Sequence, residues 1–62
     1  MNDDVMRTLH EMADEHGEVA YTSNTRSLLD QAVERGLAKA ISGKFKMLEP
    51  GTLNSMYRLI KP

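Results

Sequence analysis

Two stretches of the chain carry apolar residues at a helical period. Val5, Met6, Leu9, Met12, Ala13 and His16 recur at i, i+3, i+4 and i+7, a spacing that lines one face of a helix. Thr8, Glu11, Asp14 and Glu15 fall on the other side. Asn2 or Asp3 suits the cap of this helix, and early acids suit the positive end of its dipole. Gly17 marks the stop, in the position just past a helix end where glycine is common. The second stripe, Leu28, Leu29, Ala32 and Val33, predicts a helix from about Thr25 to Arg35. Gly36 ends it, and Leu37 is expected to fold back on the last turn. Ahead of it, Thr22-Ser23-Asn24-Thr25 is a run of capping residues whose oxygens can accept from free helix N–H groups; which one is the cap stays open.

Elsewhere the pattern is that of strands and turns. Glu18–Tyr21 is short and β-prone, a brief strand or an extended connection. Leu37–Ile41 reads as a strand with poor alternation. Lys44-Phe45-Lys46-Met47 alternates cleanly, with Phe45 and Met47 on one side and the lysines on the other. Ser55–Ile60 is the return strand. The arms meet either at Pro50-Gly51, a strong turn pair, or through a longer wing over about residues 42–54. The expected fold class is α+β, with two helices packed on a C-terminal β-hairpin in a single domain covering residues 1–62.

Size makes this core small. A chain of 62 residues buries only about 60% of the surface its unfolded form exposes. It has no cysteine, so neither disulfides nor thiolate metal sites can staple it. Leu, Ile, Val, Ala and Met must supply the core, helped by Tyr21, Phe45 and Tyr57. Met6 and Met12 are expected as core fillers, while the faces of Met47 and Met56 are undetermined. Pairing into a homodimer is a common remedy for so small a domain, and the sequence is compatible with it. No apolar run approaches a membrane span or a signal core, and Met1-Asn2-Asp3-Asp4 is acidic where a signal peptide is basic. With the lack of cysteine, this points to a cytoplasmic protein and no membrane partner.

Charge adds an asymmetry that the net value of −1 conceals. Residues 1–20 hold one base and six acids; residues 21–62 hold seven bases and three acids. A basic face is one reading, and attraction between the halves within the fold is the other.

Catalytic chemistry finds little support. His10 and His16 are six apart, about 600° of helical rotation, whereas a zinc-protease helix needs histidines four apart on one face. One half-buried and one exposed histidine is the expected outcome. No serine sits in a G-x-S-x-G elbow and the four glycines are isolated, so neither a nucleophile elbow nor a phosphate-cradling loop is present. No enzyme activity, metal or cofactor is expected.

The run from Thr25 through Glu34-Arg35-Gly36-Leu37, then Ala38–Ile41 and Met56–Ile60, resembles the C-terminal half of winged helix-turn-helix domains. In that family a recognition helix ends in such a turn and feeds a two-stranded wing. The resemblance departs in one respect: only about eight residues separate Gly17 from Thr25, too few for the additional helix the family places there. A fainter likeness, carried by Ser23-Asn24, Ala32 and Arg35-Gly36, is to small proteins of T7-like phages that modulate host transcription.

Two partner classes follow. In the first, a nucleic acid meets the second helix and the basic hairpin. Arg26 and Gln31, with Asn24 and Ser27, are of the types that read base edges, and Lys39, Lys44, Lys46 and Arg58 (with Lys61 beyond them) would neutralise phosphates. A sequence pI near 6.0 is low for a dedicated DNA-binding domain. In the second, a host protein such as RNA polymerase meets the same surface or the acidic first helix. The five methionines would supply adaptable contacts.

Overall fold

A computed structural model of the chain describes residues 4–60. The order is α1 (Asp4–Met12), β1 (Glu18–Ala20), α2 (Arg26–Glu34), β2 (Ala38–Glu49) and β3 (Thr52–Leu59). The fold is α+β, and its sheet is larger than a hairpin: β1 joins to give three antiparallel strands in the order β1-β3-β2. The predicted caps Asn2 and Asp3, and the cation Lys61, lie outside the described residues.

Strand register sorts side chains between two faces, because directly paired residues point the same way and neighbours along a strand alternate. Val19 pairs with Tyr57, and Ala38 with Leu59. These side chains share the inner face with the helices: Val5, Leu9, Val19, Leu29, Ala32, Ala38 and Leu59 form one buried cluster, edged by Met6, Tyr21, Leu28, Leu37 and Tyr57. Leu9 and Leu29 are fully enclosed. Tyr21 packs its ring 5.3 Å from that of Tyr57 and donates its hydroxyl proton to Asp30 of α2 at 2.9 Å, tying helix to sheet.

The helix ends have distinct chemistry. Past α2, Leu37 N–H bonds to Ala32 O at 2.8 Å and Gly36 N–H to Val33 O at 3.0 Å, with Gly36 at φ 74. This is a Schellman closure, and only glycine takes that φ without a steric penalty. At the start of α2, Thr25 is the cap, yet its hydroxyl makes no bond to a helix N–H. It donates instead to Ala20 O at 2.6 Å and accepts from Thr22 N–H at 2.8 Å, which latches the turn to β1. Residues 22–25 make one turn and not a helix.

Five expectations are corrected. The first helix ends at Met12, not beside Gly17. Asp14 accepts backbone N–H bonds from His16 and Glu18 at 2.8 and 3.0 Å, and this local turn replaces the last helical turn. Met12, expected in the core, and both histidines, one of them expected half-buried, are exposed. Val33 is 44% exposed, because the stripe of α2 is narrower than four residues. The two predicted strands after Gly36 are one continuous β2, interrupted by a bulge.

A core this small makes a sharp contrast testable. Leu29→Ala is expected to cost about 2–5 kcal/mol, against a total of roughly 3–9 kcal/mol for a chain of 62 residues. Val33→Ala, on the same helix, should stay within about 0.5 kcal/mol of wild type. Urea unfolding followed by circular dichroism measures both, and equal losses would contradict the assigned core.

Candidate binding surface

The hairpin gives the molecule its long dimension, 38 Å against 21 and 20 Å. Its arms meet at Pro50-Gly51, between the paired Glu49 and Thr52, which selects the shorter of the two predicted connections. Half-way along, the register shifts: Ala40 pairs with Tyr57, and the next paired residue, Phe45, with Ser55. Residues 41–44 thus stand opposite Met56 alone. Gly43, at φ 74, provides the left-handed residue such a bulge uses. A second shift, between Met47 and Glu49, leaves Leu48 unpaired.

The outer face of the sheet collects the strand cations. Lys39 pairs with Arg58, Arg58 with Glu18, and Lys46 with Asn54, so all lie on the face away from the helices. Lys44 reaches across the central strand to Glu18, its Nζ 2.6 Å from Oε1, while Arg58 donates to Oε2 at 3.3 Å. Glu18 is only 3% exposed. A carboxylate in that position needs partners, and here each oxygen has one. The Lys44 hydrogen bond, with Arg58 beside it, holds the Glu18 carboxyl below the usual carboxylate range, against the opposing effect of burial. Asp14 is also held low, by the two backbone N–H groups it accepts.

The helix residues of the predicted nucleic-acid set lie elsewhere. Arg26, Ser27 and Gln31 sit on α2, which packs on the inner face, so the sheet lies between them and the strand cations. Gln31 turns back on its own helix, donating to Ser27 O at 3.2 Å. Asn24 is exposed in the turn before α2. It borders a concavity of about 510 Å³ that Met12, Thr22, Leu48, Glu49 and Asn54 also line. Of the eight predicted residues, Lys39, Lys44, Lys46 and Arg58 lie together, Arg26, Ser27 and Gln31 lie apart from them, and Asn24 stands by the concavity that Asn54, the partner of Lys46, also lines.

Sequence reasoning missed an apolar patch. Phe45, Met47 and Leu53 share the inner face by register, but they lie beyond the reach of the helices. They are 55%, 58% and 64% exposed, and Leu48 beside them is 50% exposed. The alternation Lys-Phe-Lys-Met signalled a two-faced strand; what it could not signal is that the core ends before Phe45. Among the described residues no three His, Cys, Asp or Glu side chains gather as a metal site, and no helix is long and apolar enough to cross a membrane. No family model, curated protein or solved structure matches this chain.

The buried carboxylate predicts a pH response. Its folded-state pKa lies below its unfolded value, so the unfolded chain takes up protons first as pH falls. Stability from the pairing is full above roughly pH 5 and is lost as pH drops through the folded-state pKa. Thermal melts between about pH 7 and pH 3 should show wild type losing Tm steadily. Glu18→Gln should start lower and fall less, keeping only the smaller decline due to Asp14 and other acids. Parallel curves for the two proteins would remove Glu18 from this role.

Proposed function

We propose that this chain is a small non-catalytic binding domain of reduced winged-helix character that acts by docking its wing on another protein. The observation that carries the reading is the cluster of Phe45, Met47 and Leu53 on one face, all more than half exposed, at one end of a 62-residue chain. Scattered surface leucines need no explanation, but a contiguous apolar patch on a protruding element is the usual mark of an interaction site. A small domain gains nothing for its own core by holding three large apolar side chains outside it. The winged-helix reading draws on α2, which closes at Gly36 and leads into the two-stranded wing. The resemblance to phage proteins that act on host transcription makes RNA polymerase the first partner to test.

A nucleic-acid reading rests on a different observation, the four strand cations on the outer face. Glu18 neutralises part of that charge, since Lys44 and Arg58 both bond to it. Among the described residues, Lys39 and Lys46 are the cations there with no ion pair to a carboxylate. Two phosphate contacts correspond to a log–log salt slope of only about −2.

The experiment sets the readings against each other. Nuclease-treated bacterial lysate, and purified RNA polymerase, are passed over immobilised wild type and a Phe45→Ser/Leu53→Ser variant, with circular dichroism confirming that the variant folds. The expected outcome is a protein retained by wild type and weakened at least about tenfold in the variant, the loss of roughly 1.4 kcal/mol or more that two interface anchors carry. Equal retention by both proteins would defeat the wing-docking reading. Shifts of the Lys39, Lys46 and Arg58 amides on titration with duplex DNA, steep in salt, would transfer the function to nucleic acid.

A further inference from the structure

The wing offers more than side chains, because one of its backbone edges is open. Leu59 N–H bonds to Gly17 O at 3.0 Å and Tyr21 N–H to Ser55 O at 2.8 Å. The odd-numbered residues of β3 therefore turn their backbone groups towards β1, and the even-numbered ones towards β2. Ile60 N–H, bonded to Leu37 O at 2.9 Å, obeys the same alternation. Lys46 pairs with Asn54, so its N–H and C=O point inward to β3. Those of Phe45 and Met47 point outward, along an edge that no strand covers among the described residues. The other edge of the wing differs: there Asn54 Nδ2 donates to Tyr21 O at 2.9 Å, and the turn at residues 22–25 stands beside it.

We propose that the outer edge of β2 at Phe45–Leu48 accepts an extended segment of a partner protein as an added strand, one whose apolar residues alternate with acidic ones. This rests on the wing-docking reading above and specifies its partner. An added strand bonds to the outward N–H and C=O groups of Phe45 and Met47. Its residues opposite Phe45 and Met47 share the inner face with the apolar patch, where Leu53 flanks them. The residue opposite Lys46 shares the outer face with it, and an acid there completes a cross-strand charge pair with Lys46, Lys44 being held by Glu18 on the other side. The same geometry argues against a second copy of this chain. A self-pairing that sets Phe45 against Met47 of the other copy also sets Lys46 against Lys46, and like charges directly opposite are destabilising. Lysines and bulges are the usual devices that keep an edge from pairing with itself.

The test uses the full chain and a short blocked peptide of alternating valine and glutamate, titrated to about 1 mM and followed by amide NMR. The Phe45 and Met47 amides are expected to shift and to gain protection from hydrogen exchange. A valine–lysine peptide should bind about 5-fold more weakly or worse, and Lys46→Glu should reverse that preference. Met47→Pro removes an outward N–H and should abolish binding where Met47→Ala only weakens it. Because proline can disturb the hairpin, the valine–glutamate peptide N-methylated along one edge is offered to wild type, and it should not bind. Undiminished binding of the methylated peptide, shifts confined to other elements, or no saturable shift at all would overturn the proposal. Concentration-dependent shifts without peptide would overturn it in favour of a second copy. If Phe45→Ser/Leu53→Ser loses its protein partner while Met47→Pro and Met47→Ala behave alike towards it, wing docking stands and strand addition falls.

Discussion

A buried carboxylate organises the sheet. Glu18 lies on the first strand, Arg58 on the central one and Lys44 on the third, so one side chain ties all three together across the face that no helix covers. The pairing is a matter of necessity more than of net gain. Removing one cation would leave a single carboxylate oxygen without its partner, and removing both would leave the charge buried without compensation, which costs far more than a surface ion pair contributes. Lys44 reaches Glu18 from the bulge at residues 41–44, at the level of Met56, which is itself buried on this face.

The bulge also decides what the wing presents. Ala40 and Phe45 are five residues apart, and in a regular strand an odd separation would put them on opposite faces. Their partners Tyr57 and Ser55 are two apart and share a face. The extra residues thus reverse the alternation and bring Phe45 and Met47 to the side of Ala38 and Ala40. Without that reversal the lysines would follow the helix side, and the apolar residues would face outward with Arg58. Charge segregation on the wing is therefore a consequence of register and not of composition.

Much of the fold was legible because its signals are local. The stripe around Leu29, the glycine closure at Gly36 and the turn at Pro50-Gly51 each follow from a few neighbouring residues, and each stands where the pattern put it. What escaped depends on long-range geometry. The end of α1 at Met12 hinges on Asp14 capturing two backbone N–H groups, a competition between helix and turn that periodicity does not register. Val33 fits the period of α2, yet the face that is buried takes in Leu29 and Ala32 and leaves it outside. Of the candidate site, the grouping of Lys39, Lys44, Lys46 and Arg58 was visible as basic residues on one hairpin. Their separation from Arg26 and Gln31 was not, since it requires knowing which face of the sheet the helices occupy.

Size explains why the wing must be outside the core. Two nine-residue helices, each about 14 Å long, cover only the part of the sheet from Val19 and Tyr57 to Ala38 and Leu59. A β2 of 12 residues spans up to about 40 Å when extended, so its far half has no helix above it. Polar residues on the inner face of that half would cost the fold nothing, because no core lies there to be interrupted. Phe45, Met47 and Leu53 instead keep the apolar pattern past the point where packing demands it. Stability alone gives no reason for that pattern, and an exposed apolar edge is a liability in the absence of a partner. Under the proposed docking, the side chains beyond the reach of α2 form half of an interface, and Lys46 and the bulge limit the company that edge can keep.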